Sequence, residues 1–402
     1  MPPAQASLTI IFCTLAALFE GFDNQSMGVA GPGVAHEFGL QPGQMGIIFS
    51  SATLGLFLGA AFGGRIADRF GRRGTLVASM LLFGAFSLLT ATAVGPRTLT
   101  AARLFTGLGL GGAMPNFIAL CSEAAPPNRR VTLVATLMAA MPLGGAITGL
   151  IALTQSLGWS WRTIFYIGGI GPILLALLAS RFLPAFASSI SRPVSAGELS
   201  TGAPLEGVWS VLFGSNRARA TVLLWISFFF TQLVLLLMLN WLPSLMLGLG
   251  FSRTQASWAS VCFNVSGALA SNVLSRLHAS RLQRVAVVGI YLGIGCALTA
   301  LPNVGATFPL AAVVCALAGV FIVGAQLILF ALAPLYYAQP VRATGTGASV
   351  AMGRLGSVVG PSIAGALLAS GSSSAAVLLA ILPFVAIGGG AALALTWCRR
   401  ES

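Results

Sequence analysis

A chain of 402 residues that is 56% hydrophobic and only 7% charged has more apolar surface than a soluble fold can hide, which excludes a water-soluble enzyme or regulator. What remains is a polytopic membrane protein. The net charge of +13 would suit nucleic acid if it were clustered, but the 21 basic residues are all Arg and lie singly or in pairs between apolar runs, so no nucleic acid is expected as a partner.

In chain order, Met1 to Ser7 lacks the basic stretch and cleavage site of a signal peptide, so the first apolar segment is expected to stay as a spanning helix. Twelve apolar segments follow, at 8–30, 44–66, 75–95, 98–121, 131–155, 161–183, 219–242, 254–276, 284–303, 308–335, 342–370 and 374–397. Each is near the length of about 20 residues that crosses a bilayer. With the N-terminus inside, sixteen arginines fall on inner loops and helix ends, three (Arg97, Arg162, Arg253) on outer loops, and Arg103 and Arg354 within spans. That asymmetry places both termini in the cytoplasm. The stretch 184–218, rich in Ser, Pro, Gly and Ala, reads as a cytoplasmic linker between six spans in 1–183 and six in 219–402, with a short interfacial helix over Leu205 to Phe213. The architecture expected is an all-α membrane protein of two pseudo-symmetric six-helix bundles with a pathway between them.

The first segment carries Glu20 and Asp23, which lie on one helix face together with Asn24 and Met27. A charged acid at mid-bilayer costs about 2.5–3.5 kcal/mol, so this face needs water, a cation or a bound proton. Arg103 in the fourth segment enters to a depth within a few Å of Asp23, allowing about 1.5 Å of rise per residue. It recurs with Gly107, Gly111 and Pro115 on a smooth face suited to close helix packing. An arginine beside Asp23 holds that acid ionised, which leaves Glu20 as the favoured proton carrier and Asp23 as its charge partner; the two form one coupled pair whose roles can be exchanged.

Between the second and third segments runs Gly64-Arg65-Ile66-Ala67-Asp68-Arg69-Phe70-Gly71-Arg72-Arg73. This Gly-x-x-x-Asp-Arg-x-Gly-Arg-Arg turn resembles the signature of the major facilitator superfamily. The resemblance implies that Gly64, Asp68, Arg69, Gly71, Arg72 and Arg73, with Glu123 at the end of helix 4, form a cytoplasmic latch between the bundles, engaging the start of helix 11. The corresponding turn after helix 8 has Ser275 where the acid would stand.

Glu20-Gly21-Phe22-Asp23, the run from Arg103 to Pro115-Asn116, Ser122-Glu123, Asn240-Trp241-Leu242-Pro243 and Gly353-Arg354-Leu355-Gly356 with Gly360-Pro361 together look like the aromatic acid:proton symporters. Glu in place of the usual first Asp, and Ala331 to Tyr337 in helix 10, are similar to the branch that carries 3-(3-hydroxyphenyl)propionate. The resemblance implies a monomer in the bacterial cytoplasmic (inner) membrane that couples a small aromatic carboxylate to a proton. An aromatic carboxylate needs a cation and flat apolar walls, and Arg354, about twelve residues into its helix, sits near the midplane with a guanidinium fork that suits two oxygens. Arg103 competes for that role, and Asn24, Trp225, Gln232, Asn240, Asn264 and Gln326 are further substrate-binding candidates at spanning depth. Trp241 and Trp258 read first as interfacial anchors. Pro142 with Gly144 and Gly145, and Gly360 with Pro361, are plausible bending points.

Two other classes are weighed. A drug/proton antiporter of the same superfamily would show Gly-Pro-x-x-Gly-Gly in helix 5, where this chain has Met141-Pro142-Leu143-Gly144-Gly145; a membrane sensor would need an output domain longer than either terminus or the linker. No enzyme is expected, since there is no nucleophile–base pair and no phosphate loop, and His36 and His278 read as solvated loop residues. The six cysteines have no metal-type spacing and read as small core residues, so neither a metal nor a cofactor is expected.

Overall fold

The computed structural model of the chain describes residues 3–126, 129–154, 160–183, 212–214, 217–274, 283–338 and 341–398. They form twelve helices that cross in alternation: α1 (Pro3–Phe38), α2 (Pro42–Phe70), α3 (Arg72–Ala91), α4 (Pro96–Ala124), α5 (Arg130–Leu153), α6 (Arg162–Phe182), α7 (Ala218–Gly248), α8 (Arg253–Leu274), α9 (Gln283–Ala300), α10 (Phe308–Leu332), α11 (Arg342–Ala369) and α12, in two pieces (Ser374–Ala380 and Leu382–Leu395). The break in α12 falls at Ile381, two residues before Pro383, whose ring has no N–H with which to continue the helical bonding.

Several elements differ from their sequence expectation. Eleven of the helices are long and apolar enough to cross a membrane; α8 is not among them, because Ser257, Ser260, Asn264, Ser266, Ser271 and Asn272 thin its apolar content. Helix α1 runs 36 residues rather than the 23 of its apolar segment and carries His36 in its exposed last turn, so that histidine is helical and not in a loop. His278 and most of the 184–218 linker lie outside the described residues; of the interfacial helix expected there, Leu212 and Phe213 alone are described, and both are helical.

Glycine decides which helices touch. In the first six, a Cβ on Gly107 or Gly111 of α4 would strike the Ala52 or Leu56 carbonyl of α2, and one on Gly144 of α5 would strike the Leu18 carbonyl of α1. The last six repeat the scheme: Gly319 of α10 lies on the Phe263 carbonyl of α8, and Gly356 of α11 on the Phe229 carbonyl of α7. Pairs α2–α4 and α1–α5 therefore recur six helices later as α8–α10 and α7–α11, the signature of two bundles related by a pseudo-two-fold axis. The contacts between bundles obey the same symmetry, α2 on α11 and α5 on α8, with α1 on α7 at the axis.

Two faces follow from the alternation. One holds the start of α1 and the turn at Gly71; the other holds the turn at Gly39. Gly71 has φ +83°, a conformation that favours glycine, and its N–H closes on the Ala67 carbonyl, which lets α2 reverse directly into α3.

Candidate functional site

Helix α1 brings its acids to the middle of the molecule. Both oxygens of Asp23 accept from Arg103, Oδ1 from Nη1 and Oδ2 from Nη2, each at 2.8 Å, and both side chains are 2% exposed. The guanidinium lies 5.6 Å from the centroid of the Phe165 ring, and Ser26 donates to the Asp23 carbonyl at 2.8 Å. A two-point pair of this geometry offsets the cost of removing both charges from water. Arg103 is thereby engaged inside the first bundle.

Glu20 differs. It is 1% exposed, yet neither carboxylate oxygen has a hydrogen-bond partner. Asn24, one turn along the same face, lines a cavity, and so does Arg354 from α11, which is close enough to Glu20 to interact with it electrostatically. Arg354 forms no ion pair: Nη2 donates to the Met114 sulfur, a weak acceptor, while the pairs present among the described residues are Arg72–Glu123, Arg103–Asp23 and Arg162–Glu37. Arg354, held by a thioether, thus lines the space, while the unpartnered acid Glu20 lies behind its lining, next in sequence to the lining residue Gly21 and one turn from Asn24.

That space, about 380 Å³, lies between the bundles. Of the residues singled out from sequence, Asn24, Gln232, Asn264, Gln326 and Arg354 line it. Trp225 does not, and packs edge-on against Phe213 at 5.6 Å; Asn240 donates to the Leu236 carbonyl of its own helix at 2.8 Å. The apolar wall comes from Met114, Met138, Met141, Leu235, Leu236 and Phe330. The three methionines escaped the sequence reading, since methionine in an apolar span looks like any core residue; its unbranched, polarizable side chain suits a wall of irregular shape. A volume of this size with few polar groups is typical of a small-molecule site, which runs from about 300 Å³ upward.

Residues 13–361 match the family described as Major Facilitator Superfamily. This chain belongs to that family. It is 42% identical, over 95% of its length and 92% of the relative's, to a 3-(3-hydroxy-phenyl)propionate transporter of Escherichia coli (strain K12). It is 32% identical, over 93% of its length and 88% of the relative's, to the 4-hydroxybenzoate transporter PcaK of Pseudomonas putida. Among solved structures, a bacterial homologue of the human lysosomal transporter Spinster, in an inward-facing and occupied conformation, aligns with a TM-score of 0.75 over 98% of each chain at 14% identity, a likeness of fold.

In this facilitator the bundles meet on the side of the Gly39 face. Ser50 of α2 donates to the Val358 carbonyl of α11 at 2.6 Å and lies 2.7 Å from the Ser362 hydroxyl; Gly46 packs on Pro361, and Gly149 of α5 on Val261 of α8. Trp241, expected as an interfacial anchor, is instead 3% exposed, donates to the Pro361 carbonyl at 2.9 Å and meets Phe49 edge-on at 5.1 Å. Its neighbour Asn240 and the close approach of Gly28 to the Leu239 carbonyl draw that part of α7 inward. Trp258 is exposed, as an anchor would be.

The basic turn sits on the opposite face. Arg72 pairs with Glu123 at the end of α4, Arg73 donates to the Ser180 carbonyl of α6, and Arg69 lies 5.5 Å from the Phe70 ring centroid. The Arg72 and Arg73 contacts fasten α3 to α4 and α6 within one bundle. Gly64 has open space around it, and the Asp68 side chain lies outside the described residues.

Proposed function

We propose that this facilitator imports an aromatic carboxylate, 3-(3-hydroxyphenyl)propionate or a related phenylpropanoid or aromatic acid, together with a proton. The observation that carries the reading is the cavity cation Arg354 without an acid partner, next to the buried acid Glu20 without any partner. The Asp23–Arg103 pair cancels its own charge. Empty, the site holds Glu20 and Arg354 as a neutral sum. An entering anion takes Arg354 and would leave Glu20 as an uncompensated buried charge, a burden of several kcal/mol. A proton on Glu20 restores neutrality, so two states can reorient, the empty carrier and the carrier loaded with anion and proton. Half-loaded forms carry a net charge and are held back.

The residue at the cavity rim fits the cargo. Guanidinium binds a carboxylate through two oxygens, while methionine and Phe330 provide the flat apolar walls that an aromatic ring requires. The arginine distribution assigns the Gly71 face to the cytoplasm, so closure on the Gly39 side is the inward-facing state of an alternating-access cycle in the bacterial cytoplasmic membrane. In that cycle residues 1–183 and 219–402 rock as two units joined by 184–218, and a monomer suffices because one chain encloses the cavity. The basic turn with Glu123 acts as the latch that closes the cytoplasmic side in the outward-facing state.

The test is uptake of radiolabelled aromatic acids into proteoliposomes with an imposed pH step, with and without a protonophore. Accumulation that the protonophore abolishes is the expected result. Equal accumulation in its presence overturns proton coupling, and failure to take up any aromatic acid overturns the substrate class.

A further inference from the structure

Gln25 belongs to none of the motifs and lies at the crossing of three helices from both bundles. It is 1% exposed. Its Nε2 donates to the Leu239 carbonyl of α7 at 2.9 Å, and its Oε1 accepts from Asn264 Nδ2 of α8 at 3.0 Å. The Asn264 amide also donates to the Ser260 carbonyl at 2.9 Å, and its side chain lines the cavity. Gly145 of α5 leaves no room for a Cβ against that amide, so α8 is pressed onto the first bundle at this height.

We infer that Gln25 is a positioning residue of the transport cycle, a polar clasp that holds the Gly39 side shut and, through Asn264, connects that closure to occupancy of the cavity. This rests on the reading that the bundles rock. Three facts support it. The clasp joins α1 to α7 and α8, so opening the Gly39 side must break both of its bonds. It is buried, and a broken buried amide bond leaves unsatisfied groups unless water enters, which happens when the side opens. It lies two residues beyond Asp23, whose carboxylate Arg103 fixes, so the amide is held at constant depth. A cargo that bonds to the Asn264 amide competes with Gln25 for it and loosens the clasp.

The test reads which side is open, independently of substrate identity and proton coupling. A cysteine replaces Val261, which packs against Gly149 across the closed interface, and its alkylation by a membrane-impermeant maleimide is followed by peptide mass in right-side-out and inverted vesicles. In this V261C background, Gln25→Met keeps the side-chain length and removes both bonds, and is expected to raise the labelling rate about tenfold. Asn264→Leu removes one of the two bonds and should raise it by less, and the pair together should do no more than Gln25→Met alone, because they break one device. Gly46→Trp wedges α2 from α11, where a Cβ already meets the Pro361 carbonyl at 3.0 Å, and reports opening by another route. If Gly46→Trp raises labelling and Gln25→Met leaves it unchanged, the clasp is overturned. If labelling stays at the parent rate even in Gly46→Trp, the rocking reading fails with it. Additive effects of Gln25→Met and Asn264→Leu overturn the single-device assignment.

Discussion

Asp23 and Arg103 meet across α1 and α4 as a closed two-point ion pair, both oxygens against both terminal nitrogens at 2.8 Å, in a place almost without solvent. Breaking such a pair from one side strands a charge and costs about 3–5 kcal/mol, whereas removing both charges is far milder. Asp23→Asn and Arg103→Gln should each lower the thermal midpoint in detergent sharply, and the double variant should recover most of the loss. Substrate affinity of the double variant should stay within about threefold of the parent, since on this geometry Arg103 serves Asp23 and not the cargo. Affinity that collapses in the double variant would make Arg103 a ligand contact.

On the proposed reading, Arg354 is the cation that meets the substrate. Truncating one partner of a buried charge pair costs about 2–5 kcal/mol of binding, so Arg354→Gln should weaken aromatic acid binding by roughly thirtyfold or more. Arg354→Lys keeps the charge but not the fork, and should fall between the two. Binding is checked by scintillation proximity on purified protein, together with thermal stability to separate site loss from misfolding. Unchanged affinity in Arg354→Gln would remove the carboxylate clamp from the scheme.

Glu20→Gln fixes the carboxyl in a form that resembles its protonated state. Such a carrier can load the anion and reorient but cannot release a proton, so counterflow should persist while pH-driven accumulation disappears. In the parent, uptake should rise as the outer pH falls, because the loaded form requires Glu20 protonated; in Glu20→Gln that slope should flatten. A variant that still accumulates substrate against a gradient would place the proton elsewhere.

Much of this was legible in the chain itself, for physical reasons. Twelve apolar runs and the arginine asymmetry follow from the solvent a spanning helix must face, so the fold could be read residue by residue. The meeting of Asp23 and Arg103 followed from depth alone, at about 1.5 Å per residue along two antiparallel helices, counted from the same face: back from the end of α1 and forward from the start of α4. What depth does not give is azimuth. Trp241 and Asn240 were at the right height but turn into packing rather than toward the cavity, and Gln25, next to the lining residue Asn24, turns into the bundle interface. The methionine wall was hidden because an apolar residue facing a cavity and one facing a neighbour carry the same signal in sequence. The extension of α1 to Phe38 was missed because Glu37 and His36 look like loop, while Glu37 is held by the Trp161 indole at 2.7 Å and by Arg162 at 2.6 Å.

Charge balance at Glu20 and Arg354 makes a prediction about driving force. One proton with one monoanion moves no net charge, and the empty carrier that returns is neutral at the same two residues, so neither half of the cycle should feel the membrane potential. Were one charge to cross, 100 mV would be worth about 2.3 kcal/mol, enough for roughly fiftyfold accumulation. A pH step of one unit is worth about 1.4 kcal/mol, or tenfold. Proteoliposomes given a valinomycin potential of about 100 mV at equal pH should therefore show no accumulation above equilibration, while a one-unit pH step at zero potential should give up to tenfold. Accumulation driven by the potential alone would mean that more than one proton accompanies each anion, and a second acid would have to be sought. Asp23, freed from Arg103 in another conformation, is the first place to look, and repeating the potential experiment in the Asp23→Asn, Arg103→Gln background would show whether the extra charge leaves with it.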